Sequence, residues 1–279
     1  MGLRDLFRGG GLRPAWTHTA SGTLWRVIPA PPDTVVGEER DTGAKRATFF
    51  ALDLRSGRLR WSGRRFHDDW WVGVSAVQRD VLLLHGFATP DMPGHLGVVA
   101  ADVQSGDVLW SEPTCSLVEL RTKTVVLSRS GPAGPVVEER TLRTGETAAT
   151  DTGEAGHATR SDDGGDLQTP VLVDPTSGLD PRLAHLLRPV LPEAPSVGPL
   201  EVIEHRRALI AMSYERGASA SDRARLNGRL WIMHPESGAL LYEEVVQREL
   251  HMPVPNTFSV VHDMLLYVKE GRSLRAISL

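Results

Sequence analysis

Short runs of alternating apolar and polar residues recur along this chain, each broken by Gly, Asp or Ser. That period of two is the mark of β-strands, and the breaks are turn residues. Trp71 to Val77 and Val81 to His85 are two such runs, separated by Gln78-Arg79-Asp80. Read this way, the chain is all-β with one exception. Residues 179–191 place Leu183, Leu186 and Leu187 on one helical face behind Asp180, a candidate N-cap, and Pro181, suited to the first helical position.

The strands repeat as a unit. Ala51 to Trp61 and Ala100 to Trp110 both read A-x-D-x-x-S-G-x-x-x-W. Weaker copies run from Glu139 to Ala149, with Thr144-Gly145, and from Met233 to Tyr242, with Ser237-Gly238. In each copy one strand ends in a turn whose glycine tolerates positive φ, and the next strand follows. Gly57 and Gly106 are the turn glycines of the two strong copies. Two further strands precede each copy, so the unit is four antiparallel strands, A to D, in about 46 residues, the size of a propeller blade.

The expected A strands begin near Thr23, Trp70, Ser116, Pro199 and Thr257, which counts five blades. The inserted segment 151–197 leaves room for a sixth. The last unit stops after Leu274 to Leu279 and lacks a D strand, whereas Leu12 to Trp16 is a D-like strand with no unit of its own. The expectation is therefore one domain, 1–279, a single β-propeller whose N-terminal strand completes its last blade and removes an open sheet edge.

The A-x-D-x-x-S-G-x-x-x-W repeat resembles that of quinoprotein-like (PQQ-type) propellers. The resemblance implies that Trp16, Trp61 and Trp110 pack between neighbouring blades against the turn of the next, where Ala149 and Tyr242 depart from the pattern. The order Trp70-Trp71-x-Gly73, Leu84-His85-Gly86 and Pro93-Gly94-His95-x-Gly97 also resembles a bacterial family of small propellers. Quinone-dependent members have larger propellers and a paired-cysteine site. This chain has one cysteine, Cys115, so no quinone cofactor is expected.

Loop lengths divide the expected disc into two faces. The A–B and C–D turns are short. The B–C loops, read as 38–46, 87–96 and 215–227, and the D–A connections, read as 62–69, 151–197 and 245–255, are long and share one side. Binding concentrates on loops held by a rigid scaffold. Asp151 to Asp166 is polar and Gly-rich without periodicity, which predicts mobility. The 179–191 helix would either cover a channel mouth or fill the crossover.

The densest polar cluster on the long-loop side is His67, Asp68, Asp69, Trp70 and Trp71, with His95 in the next B–C loop. Imidazole and carboxylate together could hold a divalent metal or move protons, and an indole could stack on a planar ligand or sugar. The plainer reading has Asp68 and Asp69 capping a turn, one of the two tryptophans in the core, and the histidines solvated or packed. His85 reads as a packed histidine, Cys115 as a packed thiol, and Glu138, Glu139, Glu243 and Glu244 as solvated edges.

Composition narrows the function. A net charge of −4 with 31 basic and 35 acidic residues gives no basic footprint, so no nucleic-acid partner is expected. No run of about 18 apolar residues and no signal-like N-terminus is present, which predicts a cytoplasmic protein without a membrane partner. Phosphate-loop, nucleophile-elbow and zincin motifs are absent from the sequence. The expectation is a non-catalytic module that binds an unidentified protein or small molecule on the long-loop face and needs no cofactor. The alternative is a metal-dependent hydrolase or lyase built on His67, Asp68, Asp69 and His95.

Overall fold

A computed structural model describes residues 11–66, 68–89, 92–148, 167–175, 179–188, 197–217 and 225–279. Among them are twenty-one strands and one helix. No described helix is long and apolar enough to cross a membrane. The chain divides into two compact units, Ala20–Gly165 and Met1–Thr19 with Asp166–Leu279.

After β1 (Trp16–Thr19), the unit Ala20–Gly165 holds three antiparallel sheets, each laid down in chain order. The first is β2 (Thr23–Ala30), β3 (Thr34–Asp41), β4 (Arg46–Asp53) and β5 (Leu59–Arg64). The second is β6 (Val72–Gln78), β7 (Val81–Thr89), β8 (Met92–Asp102) and β9 (Val108–Glu112). The third is β10 (Cys115–Leu120), β11 (Thr124–Gly131) and β12 (Gly134–Thr141). Of its expected fourth strand, the described residues show one bridge, Arg140 to Thr147. Ala149, at the Trp position of this copy, lies outside the described residues.

The second sheet explains why Val81-Leu-Leu-Leu84 is apolar without interruption. Leu82 and Leu84 pack toward the first sheet against Val36, Phe49 and Ala51, while Val81 and Leu83 pack toward the third against Val125 and Leu127. Both faces are covered, so both side-chain directions must be apolar. Cys115 belongs to the second of these cores, and burial there pushes its thiol pKa up, which suits a packing role.

Tryptophan joins consecutive sheets at the turn glycines. The turn glycines Gly57, Gly106, Gly145 and Gly238 all have positive φ, between 67° and 72°. Trp61 lies flat on Gly106, where an added Cβ would come 2.7 Å from its ring, and its Nε1–H donates to the Val103 carbonyl at 2.8 Å. Trp110 repeats the arrangement on Gly145, with Nε1–H donating to Leu142 at 3.0 Å.

The other unit holds two five-stranded sheets. One is β13 (Leu167–Gln168) beside β19 (Phe258–Val261), β20 (Met264–Lys269), β21 (Ser273–Ser278) and finally β1. The pairing of Trp16 with Ala276 and Thr19 with Ser273 places the N-terminal strand beside the C-terminal one, and Trp16 is buried there. The other sheet is β14 (Val171–Val173) beside β15 (Leu200–His205), β16 (Ala208–Arg216), β17 (Leu226–Met233) and β18 (Leu240–Leu250). β13 and β14 are unexpected strands from the inserted segment. They extend each sheet past its first repeat strand.

The helix α1 (Pro181–Leu187) is shorter than 179–191 but starts as predicted, with Asp180 accepting from the N–H groups of Arg182 and Leu183. Pro189 lies outside the described residues, as does 151–166. Leu186 and Leu187 are buried against Leu200, Val202 and Leu209 of the β14–β18 sheet, and the Leu186 carbonyl would stand 3.1 Å from a Cβ on Gly238. Here the helix lies on a turn glycine as Trp61 and Trp110 do on theirs. Tyr242, at the Trp position of this sheet, instead hydrogen-bonds Tyr267 at 3.0 Å.

Several expected loops are strand. The 38–46 loop closes to the turn 42–45, where Asp41 accepts the N–H of Gly43 and Ala44. The 87–96 loop is largely ladder, with Phe87 opposite His95 and Thr89 opposite Met92. β18 runs to Leu250, into the expected 245–255 connection. A ladder can outrun the buried part of its sheet, because backbone hydrogen bonds need no apolar side chains.

Candidate binding site

The turn before β6 sets the approach. Asp68 Oδ1 accepts the N–H of Trp70 at 2.7 Å and of Trp71 at 2.9 Å, which is an Asx turn. Asp69 pairs with Arg65 at 3.0 Å, and its carbonyl accepts from Ala47 N at 2.6 Å, tying the turn to β4. Trp70 and Trp71 therefore precede the strand instead of alternating within it. Trp70 is half-buried and Trp71 exposed, and the core position beside them belongs to Phe66, packed on Phe49.

Arg40, near the end of β3, crosses to this segment. Its Nη1 donates to the Trp70 carbonyl at 2.7 Å, its Nη2 to the Val72 carbonyl at 2.5 Å and its Nε to Glu38 Oε1 at 2.7 Å. Glu38 is only 1% exposed, and its Oε2 accepts the Val74 N–H at 3.3 Å. A buried ion pair is tolerable when its remaining hydrogen-bonding groups are also satisfied, and here they clamp β3 to the neighbouring β6. The indoles of Trp70 and Trp25 flank the guanidinium, with centroids 4.9 and 5.4 Å from its carbon.

Trp25 owes its position to a β-bulge. Leu24 faces Glu39 and Arg26 faces Glu38, so Trp25 is the extra residue on β2, and it stands 65% exposed. Ser75 is the extra residue on β6 by the same irregularity, between Val74 opposite Leu84 and Ala76 opposite Leu83. The bulges re-aim one side chain on each of two adjacent strands.

Gly73 lies buried on β6 where the two sheets approach each other. Its cross-strand partner is His85, and a Cβ on Gly73 would stand 3.2 Å from His85 Cε1, 3.3 Å from Nε2 and 3.9 Å from Glu38 Oε2. The absence of a side chain lets His85 and Glu38 pack close to the β6 backbone. His85 Nδ1 is bonded to Ser75 Oγ at 2.8 Å, and the ring stacks on His95 at 3.6 Å. Phe87 meets both imidazoles edge-on, and Trp71 meets Phe87 in turn. Arg26 donates from Nη1 to the Val74 carbonyl.

Burial, and then His95, Arg26 and Arg40, push the His85 pKa down to about 4. The ring is therefore neutral at pH 7, and a base this weak activates a serine poorly. The Ser75–His85 pair supplies hydrogen bonds more readily than proton transfer.

Of the residues expected at the site, Trp70, Trp71 and His95 converge here, joined through Arg40 and Phe87. Asp68 and Asp69 build the turn that presents them. His67 lies outside the described residues. Among the described residues, no three His, Cys, Asp or Glu side chains are grouped to hold a metal ion. Trp25, Arg26, Glu38, Arg40, Ser75 and His85 were not legible as site residues. The one local hint is Glu38-x-Arg40, whose alternation puts both side chains on one face.

Of the expected solvated carboxylates Glu243 is exposed, whereas Glu138, Glu139 and Glu244 need correction. Glu244 is largely buried and accepts from Tyr267 at 2.7 Å, Tyr242 at 2.9 Å, Lys269 at 2.6 Å and Arg275 at 2.6 Å. Burial alone would raise its pKa, but these partners outweigh it and hold the carboxyl below its usual range. Glu138 and Glu139 are part-buried in ion pairs with Arg140 and Arg121, and Glu243 pairs with Arg229. Glu138 meets Arg140 two residues on along its own strand, whereas Glu139, Glu243 and Glu244 meet cations distant in sequence, which a one-dimensional reading cannot place.

A family model described as a domain of unknown function, DUF4905, matches residues 30–110, the stretch that carries most of this site. No curated protein matches the chain. Among solved structures, the apo AtxE2 isopeptidase is similar at 13% identity and a TM-score of 0.31, over 93% of this chain and 52% of its own. An exo-1,5-alpha-L-arabinanase from a bovine ruminal metagenomic library is similar at 8% identity and a TM-score of 0.25, over 95% and 94%. The tricorn protease is similar at 10% identity and a TM-score of 0.28, over 92% and 29%. The chain thus spans about half the length of the isopeptidase it matches.

Proposed function

We propose that this protein is a non-catalytic ligand-binding module, a small quinoprotein-like propeller whose five sheets are its blades. It engages a small molecule at the Trp25–Arg40–Trp70 stack. The blade reading is supported by the seating of Trp61 and Trp110 on the turn glycines of the following sheets. The binding reading rests on one observation above all. Trp25 is exposed, yet it is set by a bulge and backed by an arginine whose own bonds are made to buried groups. An exposed indole on a rigid support offers contact area at little entropic cost.

The site lies where β2 and β6 begin and the β3–β4 and β7–β8 hairpins turn. The metal-dependent alternative finds less support. Asp68 is engaged in the turn, Asp69 in an ion pair and His95 in a ring stack.

A thermal-shift screen of a small-molecule library, run in parallel on wild type and Trp25→Ala, tests the reading. Compounds that stabilise the wild type and not the variant are expected. Compounds that act equally on both, or that are turned over by the protein with added divalent metal, would overturn it.

A further inference from the structure

We propose that Glu201 is a proton-operated latch on the connection 251–257. When neutral it leaves the Tyr214 hydroxyl proton to the Val254 carbonyl, and when ionised it claims that proton and frees the connection. The latch lies within the unit that contains Asp166–Leu279 and stands apart from the binding reading above.

Donors and acceptors balance here only while Glu201 is neutral. Tyr214, on β16, has one hydroxyl proton and two acceptors in reach, the Val254 carbonyl at 2.6 Å and Glu201 Oε2 at 3.3 Å. A carbonyl oxygen can only accept, so the shorter contact takes the proton. The Glu201 contact is then a hydrogen bond only when Oε2 carries a proton of its own and donates it to the phenol oxygen. Neutral Glu201 thus completes a chain from its carboxyl through the Tyr214 hydroxyl to the Val254 carbonyl. Ionised Glu201 sets two acceptors against one donor, and a charged acceptor makes the stronger bond. Glu201 is 1% exposed and Tyr214 2%, so bulk water does not supply a second donor.

The surroundings leave this competition unopposed. Leu172 of β14 and Met212 of β16 flank Glu201 in the sheet, and both are apolar. From the connection, the Asn256 N–H donates to Oε1 at 2.6 Å. Among the described residues, Tyr214 is the one titratable side chain acting on the carboxyl. Burial raises the pKa of both groups, so the carboxyl stays neutral above its ordinary range and the phenol keeps its proton. The Asn256 bond holds in either state, which confines the release to 251–255. That stretch carries Met252, 68% exposed, and Val254, 40% exposed. Loss of the proton therefore changes how two exposed apolar side chains are presented.

Isotope-labelled NMR of the full chain tests the latch. It follows the Glu201 carboxyl, Val254 carbonyl and Met252 methyl carbons from acid to mildly alkaline pH. In the wild type the Val254 carbonyl should lose its hydrogen-bonded shift and the Met252 methyl signal should sharpen, both along the titration of the Glu201 carboxyl. Glu201→Gln keeps a donor for Tyr214 and an acceptor for Asn256, so it should hold the acid-form signals throughout. Tyr214→Phe should show the released signals throughout. If that variant does not fold, wild type against Glu201→Gln still decides. His251, on the same connection, is common to all three proteins, so its own titration cancels in the comparison. A Glu201 carboxyl that does not titrate, one that titrates without moving the Val254 carbonyl, or a Glu201→Gln profile matching wild type would overturn the latch.

Discussion

The two compact units solve the same edge problem in opposite ways. In Ala20–Gly165 the first strand of every sheet is an edge, and each carries one extra residue, Trp25 on β2, Ser75 on β6 and Val118 on β10. In the other unit β15 and β19 run without irregularity and are covered by β14 and β13. Bare strand edges invite further pairing, and a bulge or a covering strand both prevent it. The bulge has a second effect, because it turns side chains out of the regular alternation. The candidate site occurs where edges are bulged.

The buried carboxylates differ in the same sense. Glu38 and Glu201 are each 1% exposed. Glu38 has Arg40 as counter-ion, whereas Glu201 has, among the described residues, only the Asn256 N–H at 2.6 Å and the Tyr214 hydroxyl at 3.3 Å. Burial accordingly raises the Glu201 pKa. One carboxylate is held by charge and the other by neutral donors.

The largest effect should come from the sheet-to-sheet docking. Trp61→Ala is expected to cost ~3–5 kcal/mol in urea unfolding. Leu186→Ala, which keeps the backbone contact with Gly238 and loses only the buried side chain, should cost less within a range of ~2–5 kcal/mol. Equal losses would sink the idea that an indole and a helix are unequal solutions to one contact.

Next come the carboxylates. Glu38→Gln strands Arg40 in the interior and should destabilise by ~3–5 kcal/mol. Glu201→Gln removes a charge that burial disfavours and should cost less than ~1 kcal/mol at pH 7. The Glu201 penalty is absent when both folded and unfolded states are protonated. It grows as pH rises from the ordinary carboxylate range through the raised folded value. Melting curves should therefore show wild type losing stability across that window relative to Glu201→Gln, and parallel profiles would contradict this.

His85 should give a smaller signal of opposite slope. Its folded pKa is depressed to about 4 from 6.5, so the unfolded chain binds the proton first. Stability from the neutral ring is present above pH 6.5 and falls as pH drops toward 4. His85→Asn should flatten that part of the profile, and an unchanged slope would show that the ring titrates normally. The smallest change is Asp68→Ala, which loses the turn bonds to Trp70 and Trp71 at a cost of ~1 kcal/mol by chemical denaturation. Wild-type stability in that variant would remove the turn as the device that positions the two indoles.

Legibility followed range. Gly57, Gly106 and Trp61 could be read because a positive-φ turn and the aromatic four residues later are local signatures. The starts of β2, β6, β10, β15 and β19 fell within two residues of expectation for the same reason. β13 and β14 escaped because two- and three-residue strands carry no periodicity. His95 was assigned to a loop because exposure, not pairing, governs side-chain pattern at the end of a hairpin. Trp70 and Trp71 were recognised but Trp25 was not, since its exposure comes from a one-residue register shift that leaves no trace in composition.

By itself, the order of residues determined the strand units, their turns, the helix cap at Asp180 and an N-terminal strand, read at Leu12–Trp16 and found at Trp16–Thr19. Those features arise from dihedral preferences and periodicity over a few neighbours. Only the tertiary structure decided that Glu38, Arg40, Gly73 and His85 meet, that Glu244 gathers four donors, and that the first strands of the sheets are bulged in one unit and covered by another strand in the other. Such contacts join sheets across dozens of residues, and they depend on register, which a shift of one position reverses.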